Sequence, residues 1–199
     1  MRPDGPEIAS TRKGWEASLG DDFSVKVEPI AEPAELGGVT VHLCSMVGRI
    51  GGQRTRCLGT VSETIEPPAW EELDLVRSLS AVLDRSNAFV AIVRRPRGAA
   101  GHDAEEVGAW LLSEGDVVET TEARISTVYD GEGRQRSAGL ELWVPGEDHP
   151  RRGTGTVVAG TSLALDEVDV HAASFRWRLD DRDGTGSYEL WLRRAEEAA

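Results

Sequence analysis

Cysteine and long apolar runs are both scarce in this 199-residue sequence, and the motifs that usually hold a metal are missing. Cys44 and Cys57 are the only cysteines, and neither CxxC nor HExxH occurs, so we predict no metal site and no cofactor. No apolar run is long enough to cross a bilayer, and the N-terminal segment lacks the apolar core of a signal peptide. These features predict a cytoplasmic protein without membrane contact, in which both cysteines stay reduced.

Lysine is almost absent as well, since Lys13 and Lys26 are the only two, and acidic residues outnumber basic ones. The formal net charge of -13 repels phosphate backbones, and the arginine clusters at residues 94–97 and 151–152 are too small to reverse this. We therefore expect no nucleic-acid partner. The use of arginine in place of lysine is typical of a GC-rich bacterial genome.

Apolar and polar residues alternate along much of the chain, which is the period of a half-buried strand. The pattern begins at Phe23, and Gly51-Gly52 marks a hairpin turn between two alternating runs. The polar residues 1–22 show no such pattern and are predicted to form a flexible arm. Residues 23–195 have the length and apolar content of a single domain.

One segment departs from the strand pattern and predicts a helix over residues 69–85. Two prolines precede it, and Glu71 and Glu72 suit the first turn of a helix. Its apolar residues recur at helical spacing: Leu75, Leu79, Val82 and Leu83.

A short phrase occurs twice, as DGEGRQRSAGLELWV from residue 130 and as DGTGSYELWL from residue 183. In each copy Asp-Gly-x-Gly predicts a turn, and Glu-Leu-Trp lies in the strand that follows. With the other alternating runs, these two hairpins predict a mainly β protein, an antiparallel meander of about eight or more strands. A sheet of that length is expected to close into a barrel or to bend strongly.

Both copies of the phrase divide their residues between two faces of the sheet. One face is apolar and predicts the core, whereas the other places a tryptophan beside a carboxylate: Glu141 with Trp143, and Glu189 with Trp191. If this second face points into a barrel, it lines a mixed cavity for an apolar ligand with one polar group. If it points outward, the helix or a partner subunit covers it.

Three segments resemble the second module of the lipocalin-like proteins grouped with carotenoid 1,2-hydratase, the hydroxyneurosporene-synthase and AttH-like group: RRPRGAAGH (94–102), YDGEGRQRSAGLELW (129–143) and DGTGSYELWLRR (183–194). The Gly-x-Gly-x-x-Glu stretch typical of that group corresponds here to Gly184 through Glu189. The resemblance implies a barrel that binds terpenoid or other apolar substrates, which some members hydrate or cyclise. The family pairs two modules and this chain has room for one, so chemistry at a junction of barrels would be rebuilt by dimerisation or lost.

We therefore predict a lipocalin-like barrel or strongly bent sheet with one helix, which binds a small apolar or amphipathic molecule. The predicted lining residues are four aromatic residues and one carboxylate: Tyr129, Trp143, Trp177, Glu189 and Trp191. A second hypothesis is an enzyme on the same scaffold, with Glu189 or His171 as the acid/base group that hydrates, isomerises or cyclises such a molecule. A third hypothesis is a non-catalytic module that forms a homodimer through its aromatic face.

Overall fold

Two antiparallel sheets make up nearly all of the computed structural model, which describes residues 5–67, 69–99, 101 and 104–194. The N-terminal sheet has six strands: β1 (Glu7–Thr11), β2 (Gly14–Leu19), β3 (Phe23–Pro29), β4 (Ala34–Leu36), β5 (Val39–Ile50) and β6 (Gln53–Thr64). Strands β1, β2, β3 and β5 follow one another in the sheet, and β5 also pairs with β4 and with β6. Among these described residues, no helix is long and apolar enough to cross a membrane.

The C-terminal sheet has nine strands: β7 (Leu73–Val82), β8 (Ala88–Pro96), β9 (Glu106–Ser113), β10 (Asp116–Glu119), β11 (Glu122–Tyr129), β12 (Gln135–Trp143), β13 (Arg151–Leu165), β14 (Val168–Leu179) and β15 (Arg182–Arg193). Their order is β10-β9-β8-β7-β15-β14-β13-β12-β11, so the chain runs as a meander in which β15 returns to pair with β7. Both sheets curl strongly, and the curl brings β11 against β9. The predicted mainly β, strongly bent architecture is confirmed.

The concave face of the C-terminal sheet encloses the main core of the protein. The apolar residues of both repeated phrases point into it as predicted, and none is more than 2% exposed: Leu140, Leu142, Tyr188 and Leu190. Trp177 is fully buried there, with its ring edge-on to Phe89 at 5.1 Å and stacked on Phe175 at 5.5 Å. A Cβ on Gly155 would lie 2.7 Å from the Trp177 ring, so aromatic side chains fill this part of the interior.

The N-terminal sheet packs on the convex face of β7, β8 and β9. One shared apolar cluster joins Leu36 and Val41 to Val90 and Ile92. A second shared cluster joins Leu43 of β5 to one residue from each of three strands of the C-terminal sheet: Val82 of β7, Ala88 of β8 and Leu112 of β9. Strand β8 is therefore buried on both faces over residues 88–93, which is why this part of its sequence is apolar on both sides.

The turn predicted at Gly51-Gly52 is confirmed, since Ile50 pairs with Gln53 across a two-residue loop. Both glycines have positive φ, 56° and 77°, which is the conformation of a type I′ hairpin turn. The hairpin does not join the cysteines, because Cys44 pairs with Gly59, and both thiols are free.

The helix predicted over residues 69–85 is wrong. Only Trp70–Glu72 forms a single 3-10 turn, and Leu73–Val82 is strand β7 at the centre of the nine-stranded sheet. The inward face of β7 carries the buried Arg77 between leucines, and its outward face is partly covered by the N-terminal sheet. Apolar residues therefore lie on both faces, and this arrangement imitated the spacing of a helical stripe.

The arm predicted over residues 1–22 is also not free of regular structure. Strands β1 and β2 pair as a hairpin from Glu7 to Leu19, and β2 continues the sheet onto β3. Every residue of β1 is exposed, so this edge strand is held by backbone pairing and not by burial. Without a buried face it shows no apolar alternation, which removed the signal on which the sequence analysis depended.

Candidate functional site

A cleft with a volume of ≈ 630 Å³ lies between the two sheets, on the convex face of the C-terminal sheet. The volume is within the range of small-molecule sites. Strands β5 and β6 contribute to one wall, and β7, β8 and β15 form the other. Its lining mixes apolar, hydroxyl and two charged side chains: Val39, Thr60, Ser62, Thr64, Pro67, Trp70, Val76, Ser78, Ser80, Val90, Ile92, Arg94, Ser187, Glu189 and Trp191.

Cross-strand register arranges the floor of the cleft in rows. Glu189 lies opposite Ser78, and Trp191 lies opposite Val76, which in turn lies opposite Arg94 on the next strand. The residues between them in sequence point into the core, because side chains alternate along a strand. Serines and other small residues over most of the floor leave the space that the cleft occupies.

Two indole rings form one end of the cleft. The rings of Trp70 and Trp191 stack with centroids 5.6 Å apart and an angle of 26° between their planes. Arg193 fixes the Trp70 segment against the sheet, because its guanidinium donates to the backbone carbonyls of Trp70 and Leu73. The Trp191 indole N–H donates to a Glu189 carboxylate oxygen at 3.4 Å. The end of the cleft therefore combines a flat aromatic surface with a carboxylate.

A chain of hydroxyl groups ties the two walls together at the opposite end. The Ser80 hydroxyl lies 3.0 Å from that of Thr60 on the N-terminal sheet and 3.0 Å from that of Ser187 on β15. At the entrance, the Arg94 guanidinium donates to the Gly37 carbonyl of the N-terminal sheet. These contacts hold the walls at a fixed separation, so the cleft exists before any ligand arrives.

The glycines of the Gly-x-Gly-x-x-Glu stretch have a structural role beside the cleft. A Cβ on Gly186 would lie 1.7 Å from the backbone oxygen of Ser80, and a Cβ on Gly184 would lie 2.5 Å from that of Val82. Only glycine allows β15 to approach β7 this closely. The same stretch thus brings Ser187 and Glu189 against the serines of β7.

The five predicted lining residues do not lie around one cavity. Glu189 and Trp191 line the cleft between the sheets, but their face is convex and points away from the barrel interior. Trp143 lies on the convex face of β12 under the Arg124 guanidinium, Tyr129 is 37% exposed at the end of β11, and Trp177 is buried in the core. The prediction that they share one barrel cavity is therefore wrong, because the core already occupies the concave face.

The two acid/base candidates, Glu189 and His171, lie on opposite faces of the sheet. Its Nδ1 atom lies 2.7 Å from the hydroxyl of Ser162, its cross-strand partner on β13. His171 is paired in register with the inward-pointing Leu190, so it lies on the opposite face of the sheet from Glu189. The described residues contain no group of three or more His, Cys, Asp or Glu side chains placed to hold a metal ion.

Several residues of the cleft lie in the segment that the helical spacing of its leucines assigned to a helix, so they were not predicted as site residues. The segment LDLVRSLSAV contains Val76, Ser78 and Ser80 at alternate positions, a polar face that a strand assignment would have revealed. Trp70 and Arg94 had no comparable signal, since only the packing of the two sheets brings them to this site.

A second polar cluster lies inside the barrel and was also missed. The fully buried Arg77 guanidinium pairs with the Glu105 carboxylate, which also accepts from Arg95 at 3.0 Å. Arg77 further approaches the Thr127 hydroxyl at 3.5 Å, and this hydroxyl lies 2.6 Å from that of Tyr188. Burial raises the pKa of the Tyr188 phenol to about 12, so the group is neutral at physiological pH.

The free energy of unfolding is expected to fall by about 2 kcal/mol as the pH rises from about 10 to about 12, because the Tyr188 phenol ionises near pH 10 in the unfolded chain but stays neutral up to about 12 when buried. A pKa raised on folding contributes stability below the unfolded pKa near 10 and loses it by the folded pKa. Cys44, whose thiol pKa burial raises to about 11, titrates over an overlapping range. Urea unfolding should therefore compare Cys44→Ala with Cys44→Ala/Tyr188→Phe, and equal alkaline losses in both would contradict the prediction.

Comparison with known proteins shows no family for this chain. A scan against protein-family models gives no match, and no curated protein matches the sequence. The resemblance to the carotenoid 1,2-hydratase group therefore stays a prediction.

Proposed function

We propose that this protein binds a small amphipathic molecule in the cleft between its two sheets. The observation that carries the proposal is the stacked pair Trp70 and Trp191 at the end of a ≈ 630 Å³ cleft. Aromatic side chains and a few placed polar groups are the usual lining of a small-molecule site. Val39, Val76 and other aliphatic side chains of the lining supply contact for an apolar body.

Contacts between the two sheets hold the walls of the cleft in place, which supports its use as a binding site. The hydroxyl chain through Ser80 and the contact of Arg94 with Gly37 join the two sheets without blocking the floor. Binding in such a cleft carries little entropic cost for ordering its walls. The apolar clusters on either side of the cleft serve the same purpose, since they fix the sheets by packing.

A thermal-shift screen tests this proposal, with terpenoids, fatty acids, steroids and aromatic polyketides as candidate ligands and tryptophan fluorescence recorded on the same samples. A ligand of the cleft should raise the melting temperature by mass action and change the tryptophan signal. Trp191→Ala should lower the affinity about 10-fold or more, whereas Trp143→Ala should leave it unchanged. Trp143 is the matched control because it occupies the same position in the other copy of the repeated phrase, outside the cleft.

Ser78→Leu gives an independent test, because it fills the floor of the cleft and leaves both indoles in place. It should abolish the thermal shift while the unliganded protein keeps its fold by circular dichroism. The proposal fails if no compound raises the melting temperature, or if Ser78→Leu and Trp191→Ala both bind as well as the unaltered protein.

A further inference from the structure

The two copies of the Glu-Leu-Trp phrase differ in what surrounds them. In β12 both polar partners of the pair are arginines of this chain. Arg152 donates to the Glu141 carboxylate at 3.1 Å, and the Arg124 guanidinium carbon lies 4.8 Å from the centre of the Trp143 ring. Two guanidinium groups thus contact this pair. That of Arg152 forms an ion pair with the carboxylate, and that of Arg124 forms a cation–π contact with the indole.

In β15 no cationic side chain of the described residues contacts the same pair. Within the described ranges, Glu189 has no Lys, Arg or His nitrogen within 4.0 Å, and its single hydrogen bond is the 3.4 Å contact from the Trp191 indole. No guanidinium of the described residues lies over the Trp191 ring, whose stacking partner is Trp70. The Glu189 carboxylate thus faces the cleft and can accept further hydrogen bonds.

The two arginines at the cleft, Arg94 and Arg193, already make other contacts. Arg94 donates to the Gly37 carbonyl, and Arg193 donates to backbone carbonyls and pairs with Glu167 at 2.9 Å. Movement of either side chain toward Glu189 would break the contacts that hold the cleft walls. Neither arginine is therefore available to pair with Glu189.

We propose that the ligand of the cleft is an organic cation, an ammonium or guanidinium group on an apolar body, with Glu189 as its counter-ion. This inference rests on the proposed function and adds the charge of the ligand to it. Glu189 and Trp191 are two residues apart on one face of a strand, about 7 Å by strand geometry, so one cation can contact both. The net charge of -13 also draws cations toward the protein and repels anions.

Three matched probes test the charge of the ligand: 4-phenylbutylammonium, 4-phenylbutan-1-ol and 4-phenylbutanoate. They share the aromatic ring and the alkyl chain and differ in the terminal group. In calorimetric titrations of the full chain, the ammonium probe should bind about 10-fold more tightly than the alcohol, and the carboxylate probe more weakly than either. Added salt should weaken binding of the ammonium probe and leave the alcohol nearly unaffected.

Glu189→Gln should lower the affinity for the ammonium probe about 10-fold, to that of the alcohol, and leave binding of the alcohol unchanged. Glu141→Gln is the matched control, because it removes the same group from the arginine-paired copy and should change neither affinity. If the alcohol binds as tightly as the ammonium, or Glu189→Gln has no effect on the ammonium, the cation inference is wrong and the cleft remains a binding site. If none of the three probes binds at millimolar concentration, the cation inference is overturned, and the proposed function is decided by the thermal-shift screen.

Discussion

Gly186→Ala is expected to lower the free energy of unfolding by about 3 kcal/mol, because no side chain fits between β15 and β7 at this position. The added Cβ would lie 1.7 Å from the Ser80 backbone oxygen and 2.6 Å from the Ala81 Cα. Both obstacles are backbone atoms in the centre of the sheet, so relief requires the two strands to separate. The separation would also displace Ser187 and Glu189, so the variant should lose the ligand affinity of the cleft.

Urea unfolding followed by far-UV circular dichroism measures this loss. Gly131→Ala is the control, since a Cβ there meets nothing within 4 Å and the residue is not among the glycines with positive φ. The control should change the free energy of unfolding by less than about 0.5 kcal/mol. A Gly186→Ala protein as stable as the control would show that the close approach of β15 to β7 is not a requirement of the fold.

Arg77→Met is expected to lower the free energy of unfolding by about 3 kcal/mol, because it removes one partner of an ion pair buried inside the barrel. The side chains of Arg77 and Glu105 are 1% and 4% exposed, so water cannot replace the lost guanidinium. Arg95 stays within 3.0 Å of the Glu105 carboxylate and offsets part of the cost. Methionine fills a similar volume, so a cavity is not the cause of the loss.

A double-mutant cycle separates the charge from the packing. Arg77→Met/Glu105→Gln should be more stable than Arg77→Met alone, because the second substitution removes the buried negative charge whose counter-ion the first substitution has removed. Lys26→Met breaks an exposed ion pair with Glu16 and should cost less than about 1 kcal/mol. Equal effects of Arg77→Met and Lys26→Met would mean that the buried pair contributes no more than a surface one.

The two polar clusters of the C-terminal sheet serve different purposes. Inside the barrel, the Arg77 guanidinium pairs with the Glu105 carboxylate, and the aromatic core around Trp177 leaves this part of the interior filled. On the convex face, Glu189 faces a cleft, and no cationic side chain of the described residues pairs with it. A lipocalin-like barrel would be expected to bind its ligand within the barrel, whereas this geometry places the candidate site between the sheets.

The repeated phrase shows how far sequence reasoning extended. Alternation along residues 138–144 and 187–192 predicted which residues form the core, and Leu142 and Leu190 are fully buried as expected. The same alternation identified Glu189 and Trp191 as members of a mixed surface, which the structure places in the cleft. It did not indicate that Trp143 belongs to an arginine-covered surface, because the two copies are nearly identical in sequence.

The sequence by itself determined most of the antiparallel strands, the turns at Gly51-Gly52 and at residues 130–133, and the inward face of each repeated phrase, because period-two alternation and glycine turns are local signals. The turn predicted at the second Asp-Gly-x-Gly is wrong, since residues 183–186 lie within β15, where Gly184 and Gly186 pass close to β7. Only the tertiary structure decided that residues 73–82 form a central strand, that β1 and β2 extend the first sheet, and that Trp70 meets Trp191. Those outcomes depend on contacts between residues far apart in the chain. Apolar side chains on both faces of residues 73–82 imitated a helical stripe, and an edge strand without a buried face lacks the alternation that predicts a strand.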